Sequence, residues 1–479
     1  MRPIIREIPY PDDPFASFCA LARLRAPFFL DSALVDGRSG RWSFMGAEPF
    51  ALLESKGARL RVSGLRADGD RRSPFAALKT LLSRFPLARE PGDPPFLGGA
   101  VGYFGYDLRH FVERVPHGCA DDAAVPDCRL GFYDAIVALD HRQRRAYAIA
   151  APVFEKQHEE AVQRVQRMAA LISRPSAGVL SPPSRGGPRA ALAAHPVPGC
   201  WDLYSNFTRD GYLEAVGRAK EYIAAGDIYQ VNLSHRLTAP VRCGALDLYG
   251  HLRAINPAPF AAYLDCGDFA VLSASPERFL RARGAQVETR PIKGTRPRGA
   301  TPPEDERLAR ELLTSEKDRA ENVMIVDLER NDLGRTCAYG SVHVTELCAL
   351  EKYETVFHLV STVVGRLHKE FTAVDCLKAC FPGGSITGAP KVRSMEIIDE
   401  LEPTCRGIYT GAIGYVCFSG DMDTSIVIRT LVVKDGWAHF QVGGGIVADS
   451  EPAAEYQETL DKARALITAV ARPMGMVRA

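Results

Sequence analysis

No run of about 18 apolar residues occurs in the 479-residue sequence, so nothing in it reads as a membrane-spanning helix. The opening MRPIIREIPYPDDPF lacks the apolar stretch and small-residue cleavage site of a secretory leader, and a cytoplasmic location is expected. Charge of one sign is also missing: 59 Lys and Arg stand against 58 Asp and Glu, a formal net charge of +1. That balance gives no bulk attraction to nucleic acid or anionic lipid, so neither a nucleic-acid nor a membrane partner is expected. Twelve cysteines occur without a CxxC pair; Cys376 and Cys380 in CLKAC read as two positions on one helix face, and the cysteines are expected to be reduced apolar fillers. No fixed-period repeat is present, which excludes a solenoid or propeller.

What is present is a large core. A chain of this length with 46% hydrophobic and 24% charged residues describes two or three domains, or one large two-part α/β body. Residues 173–200 are rich in Pro, Ser, Gly and Ala and read as an exposed linker between an N-terminal region, 1–172, and a C-terminal region, 201–479. Polar residues in apolar surroundings concentrate after residue 205, so chemistry is expected there.

Five stretches carry that chemistry. In ETRPIKGTRPRG, Lys293 lies in what reads as a tight turn among Arg290, Arg296 and Arg298. An ordinary lysine is only about 0.04% neutral at pH 7, and nearby positive charge lowers its pKa, so the arginines are consistent with an activated amine. A surface turn that binds anions fits the same residues. In LSASPERFL, a proline bend between two short strands places Glu277 at a strand end, either as a general acid or as a turn residue paired to an arginine. Asp318 and Glu321 share one face of an acidic helix; Glu455, Glu458 and Lys462 share a face of another, which Ser450 and Pro452 open. Two such faces can hold Mg²⁺ if they meet, and are solvated surfaces if they do not. In TSIVIRTLVVKDGWAHFQVGGGIV, Asp435-Gly436 marks a hairpin turn, Arg429 falls on an apolar strand face with Val427, Leu431 and Val433, and Gly443 to Gly445 offer bare amides. These suggest a bound acid; an internal salt bridge would also satisfy Arg429. FPGGSITGAPK, with Lys391 near a helix start, lacks the spacing of a nucleotide-binding loop.

In their order along the chain, SPERF, PIKGTRPRG, DLERNDLGR, FPGGSITGAPK, RGIYTGAIGY and GGGIVADSEPAAEYQETLDKA together resemble the chorismate-utilising enzymes. FFLDSA and GRWSFMGAEPF extend the resemblance to the N-terminal half. It implies the family's α+β fold, two large antiparallel-rich β-sheets in a sandwich flanked by helices. Anthranilate synthases typically read Pro-Ile-Ala-Gly-Thr where Pro291 to Thr295 read Pro-Ile-Lys-Gly-Thr, and the lysine points to the aminodeoxychorismate synthase branch. The resemblance implies Lys293 as nucleophile and Glu277 as general acid. It implies Glu321 and Glu458 as Mg²⁺ ligands, with Glu455 and Asp318 beside them. Gly294, Thr295, His358, Tyr409, Arg429, Gly443 and Lys462 would hold chorismate. Ser32, Arg41, Trp42, Pro259 and Phe260 match a tryptophan site of some members, whereas LLES at Leu52 to Ser55 is a decoy. Ammonia would come from a separate glutamine amidotransferase subunit, for which this chain has no spare domain. The alternatives are an anthranilate synthase component and a non-catalytic subunit that binds chorismate or tryptophan.

Overall fold

Period-two burial organises the strands: Ala51–Lys56 buries every second side chain. Gly99–Phe104, covered on both faces, is apolar throughout. The structure is a computed structural model that describes residues 2–35, 39–65, 73–153, 158–173, 194–353 and 356–471. Among these residues the strands assemble into a 13-stranded and an 11-stranded sheet. The larger core lies between the sheets, with Phe28, Phe44 and Val271 from the first meeting Leu53, Phe132 and Phe279 from the second. Helices Pro14–Leu21, His158–Ile172, Ala245–Ile255 and Pro452–Ala471 cover the outer face of the first sheet through Phe18, Val165, Leu248 and Leu466. The expected sandwich flanked by helices is the observed fold.

Leaving aside the two-residue strand Gly388–Ala389, the chain leaves one sheet for the other four times, after Trp42–Gly46, Cys128–Tyr133, Phe269–Ser275 and Met422–Ile426. Both regions therefore feed both sheets, and ladders such as Ala261 to Asp31 and Ala412 to Phe104 run across the division between 1–172 and 201–479. Residues 174–193 of the expected linker lie outside the described residues. Its end is not linker but strand, since His195–Pro196 pairs with Tyr204–Ser205.

Two sequence expectations change locally. The acidic stretch after Thr301 forms two helices, Pro302–Thr314 and Glu316–Gly334, because Ser315 leaves the helical conformation and caps the second through Asp318 N–H. Ser450 precedes the helix beginning at Pro452 without capping it; its hydroxyl is engaged by Val447 N–H and donates to Glu455 Oε1 at 2.6 Å.

Candidate active site

Glu277 sits at the third crossover. Pro276 cannot extend a ladder, so the strand Phe269–Ser275 ends there, and Arg278–Arg283 starts in the second sheet. Buried Phe279 anchors the far side; cutting such a side chain to alanine costs about 3–5 kcal/mol, so the crossover is firmly held. Ser275 Oγ donates to Ile426 O at 2.6 Å and Ile426 N donates to Glu277 O at 3.1 Å, which ties this crossover to the fourth, at residues 427–429.

Arg429 occupies that fourth crossover at φ +51°. This corrects its expected place on a strand face. Met422–Ile426 pairs in the second sheet and Thr430–Lys434 in the first, so alternation breaks between them. The half-buried guanidinium makes no ion pair or hydrogen bond among the described residues, which removes the internal salt bridge as its explanation. Burial lowers its pKa, and Glu277 opposes that shift. Glu277, 6% exposed, has its carboxyl pushed above the usual range by burial, against a hydrogen bond from Ser385 and the charges of Lys293 and Arg429.

Lys293 lies not in a tight turn but in a bulged strand, Ile292–Pro297. Ile292 pairs with Val360 and Thr295 with His358, so Lys293 and Gly294 together face the single residue Leu359. A bulge of this kind re-aims a side chain out of the ladder. Gly294 has φ +82°, and a Cβ there would lie 2.9 Å from Leu312 Cδ1 and 3.0 Å from Asp318 Cβ, so the position requires glycine.

The three arginines do not activate the lysine. Arg290 is bound by Glu351, Arg298 by Asp305 at 2.6 Å, and Arg296 by Glu311 at 3.0 Å and Asp318 at 3.1 Å. Each charge is matched before it reaches the amine. Burial is what lowers the Lys293 pKa, assisted by Lys462 and resisted by Glu321, Glu277 and Glu458. The half-buried amine has no hydrogen-bond partner among the described residues.

The two acidic helices meet. Glu321 is pushed up by burial and by the charges of Asp318 and Glu458, with Lys293 and Lys317 acting against it. Glu455 is raised chiefly by burial, with Ser450 opposing. Burial also raises Glu458, but Lys462, 2.7 Å away, together with Lys293 and Lys317 outweighs it and leaves the pKa below the usual value. Asp318 is committed to Arg296, and Lys462 Nζ also donates to Gly443 O at 3.0 Å. Glu321 makes no ion pair or hydrogen bond among the described residues. A half-buried carboxylate without a partner, facing a second one, suits a hard divalent cation, so Glu321 and Glu458 fit Mg²⁺. Glu455, turned to Ser450, and Asp318, turned to Arg296, would reach such an ion only by releasing those partners, as Glu458 would release Lys462.

His358 is 4% exposed; burial and Arg429 hold it down at about 4, and its Nδ1 lies 2.8 Å from Thr295 Oγ1. It is therefore a neutral hydrogen-bonding group at pH 7. Tyr409, whose hydroxyl is pushed up to about 12 by burial, lines a small cavity with Val427 and Thr430, the flanks of the fourth crossover. Gly443 and Gly444 stand in the strand Trp437–Ile446; a Cβ on Gly444 would lie 3.0 Å from Glu455 Oε2.

Sequence reasoning missed two buried groups here. Gln230 is fully buried with neither amide atom hydrogen-bonded, and a Cβ on Gly445 would lie 2.5 Å from its Nε2. The only signal was one glutamine in the apolar run IYQVNL. Glu329 is 2% exposed and held up at about 8 by burial and by Asp332, against Lys391. It lies against Gly384, the neighbour of the Ser385 that bonds Glu277. Lys391 is bound to Asp332 and to Cys380 O at 2.9 Å, which explains its place without a phosphate.

The residues matched to a tryptophan site also converge, on a cavity that Lys293 does not line. Ser32, Arg41, Trp42, Pro259 and Phe260 line a cavity of about 230 Å³. Ser32 Oγ donates to Trp42 O at 2.7 Å and Pro259 O at 3.3 Å, joining its walls. Arg278, next in sequence to Glu277, lines the same cavity. LLES lies elsewhere, on a strand of the second sheet whose Glu54 binds Arg129.

A model of the chorismate binding enzyme family matches residues 31–468. Anthranilate synthase component 1 of Thermus thermophilus is 43% identical over 459 residues, 96% of this chain and 95% of its own. Aminodeoxychorismate synthase component 1 of Bacillus subtilis is 40% identical over 470 residues, 97% and 96% of the two chains. Among solved structures, anthranilate synthase component I of Streptococcus pneumoniae superposes with a TM-score of 0.77 at 32% identity, covering 91% of this chain and 94% of that one.

Proposed function

Since the chain belongs to the chorismate-binding enzyme family, we propose that it is the chorismate-converting component of an aminodeoxychorismate synthase. The observation that carries this reading is Lys293: an unpartnered, half-buried amine with a lowered pKa, aimed from a bulge among Glu277, Glu321 and Glu458. Neutral Lys293 Nζ attacks the chorismate ring at C2, both ring double bonds shift, C1=C2 to C1=C6 and C5=C6 to C4=C5, and the C4 hydroxyl departs. Glu277, whose pKa burial raises, donates the proton that lets the hydroxyl leave as water. Ammonia then adds at C4, both double bonds shift back and the lysine is expelled from C2, giving 4-amino-4-deoxychorismate. This is the amine precursor of p-aminobenzoate, and so of folate. Arg429 supplies the cation for a substrate carboxylate, and neutral His358 with Thr295 holds the ring edge. Mg²⁺ held by Glu321 and Glu458 would supply positive charge to the other carboxylate. The ammonia comes from a glutamine amidotransferase subunit, for which the "component 1" in the relatives' names is support.

The names of the relatives favour a second reading, since several are anthranilate synthase components. That chemistry needs no amine at position 293. Incubation with chorismate, Mg²⁺ and ammonium decides between the two: the proposal expects 4-amino-4-deoxychorismate, and formation of anthranilate with release of pyruvate would overturn it. Failure of the folded protein, with its partner, to consume chorismate would instead favour a non-catalytic binding subunit.

The cavity at Ser32 and Trp42 suits a free amino acid with an apolar ring, and tryptophan is the proposed occupant.

A further inference from the structure

The cysteines expected to be buried fillers include one pair that is not. Cys119 and Cys405, separated by 286 residues in sequence, are joined as a disulfide, while the remaining ten are free. A disulfide needs only two cysteines. It does not account for the imidazoles gathered at its edge: His117 places a ring nitrogen so that its ligand atom and both sulfurs lie within 4.8 Å of one another. His110 Nε2 stands 3.0 Å from His117 Nδ1, with the two rings edge to face.

The backbone around this group is pinned on both sides. Asp399, itself paired to buried Arg109 at 2.6 Å, accepts the N–H of Gly118 at 2.7 Å. Ala120 N–H donates to Pro403 O at 3.2 Å, and Cys405 N–H to Ala120 O at 3.0 Å. The thiols and the imidazole are thus held together by contacts that do not depend on the sulfur–sulfur bond. His117 is exposed and Cys119 half-exposed, so an ion reaches the group from solution.

We propose that Cys119, Cys405 and His117 form a zinc site in the reduced protein, with His110 orienting His117 and water or another small ligand completing the shell. Two thiolates and an imidazole are a donor set for zinc; donors about one tetrahedral ion lie roughly 3.3–3.8 Å apart, so the sulfurs, bonded in the disulfide, separate on reduction while the imidazole nitrogen already stands within 4.8 Å of both. Opening the disulfide takes two electrons and two protons from a dithiol, which is oxidised in exchange; zinc binding then expels the two thiol protons. The same group is a disulfide when oxidised and a metal clamp when reduced. Either form fixes the segment leading to Arg406, whose guanidinium bonds Glu402 at 2.7 Å and Ile386 O at 3.0 Å and lies 5.7 Å from the Tyr409 ring. The site clamps that wall of the candidate active site to the loop after residue 111.

Cobalt reports the site without relying on catalysis. The full-length protein, reduced with dithiothreitol, freed of metal and reductant and kept anaerobic with excess Mg²⁺ to fill carboxylate sites, is titrated with Co²⁺. One equivalent should develop a thiolate-to-cobalt charge-transfer band and intense tetrahedral d–d bands, displaced by one equivalent of Zn²⁺. Cys119→Ser and Cys405→Ser should lose the charge-transfer band. His117→Ala, a surface change with no bearing on folding, should weaken binding; His110→Ala should weaken it about 10–100-fold while keeping the band. Protein oxidised with diamide should show no band. Absence of a thiolate band in the reduced protein, or a band unchanged in His117→Ala and Cys119→Ser, would leave a plain disulfide and overturn the proposal.

Discussion

Replacing Lys293 with alanine removes one amine and, on the covalent route, the reaction with it. No neighbour can substitute: Lys462 is held by Glu458 at 2.7 Å and by Gly443 O at 3.0 Å, and Lys317 lies 3.7 Å from Asp449. The loss should fall on kcat, about 10³-fold or about 4 kcal/mol, because a nucleophile acts in the transition state while Arg429 still holds a substrate carboxylate. Stability should move the other way. The folded pKa of Lys293 lies below its unfolded value, so charging it in the fold costs free energy at neutral pH and nothing above about pH 10.4, where the unfolded lysine is neutral too. Lys293→Ala should therefore melt no lower than the parent at pH 7, with any gain vanishing as pH rises toward that value. Rates of 4-amino-4-deoxychorismate formation with ammonium, read beside melting curves, give both quantities. Mass spectrometry of the parent after chorismate without ammonia should find an adduct on the Lys293 peptide. A Lys293→Ala enzyme with at least half the parent kcat, or a parent with no adduct under slow turnover, would refute the nucleophile.

Glu277→Gln should lower kcat about 10²–10⁴-fold. Its folded pKa is raised, so the stability it contributes is present below about pH 4.3 and lost as pH rises through the folded pKa; the glutamine variant should melt higher at neutral pH, and a lower Tm there would contradict the assignment. The parent's rate should rise with pH as Lys293 deprotonates and fall as Glu277 does, giving a bell whose falling limb disappears in Glu277→Gln. Arg429→Met should raise KM for chorismate at least about tenfold, since it deletes the charge that has no internal partner. Chelation should abolish turnover, and Glu321→Gln should raise the Mg²⁺ concentration needed for half-activity at least about tenfold; an unchanged Mg²⁺ requirement would remove Glu321 from the metal. Tryptophan at about 100 times its Kd should stabilise the fold by about 2.7 kcal/mol, and Ser32→Leu, which fills the cavity at its junction, should erase the shift in Tm.

The motifs that make this chain a chorismate-binding enzyme are contiguous, so the sequence alone carried them. So did features that depend on neighbours a few residues apart. Pro276 ends a strand, Asp435-Gly436 turns a hairpin with φ +50° and +80°, and Cys376 and Cys380 share a buried helix face. Tertiary structure decided what those residues face. Three arginines crowd Lys293 in sequence, yet each is bound to a carboxylate between 7 and 61 residues away, and burial sets the amine's pKa instead. Arg429 continued an alternating strand on paper; the sheet switch at Val427 breaks that alternation and leaves the guanidinium for a ligand. The meeting of the helices bearing Glu321 and Glu458, and the pairing of Cys119 with Cys405, span more than 130 and 280 residues. Local periodicity specifies which face of an element is apolar. It does not specify which distant charge or thiol that face will meet, because that depends on how the two sheets and their crossovers pack.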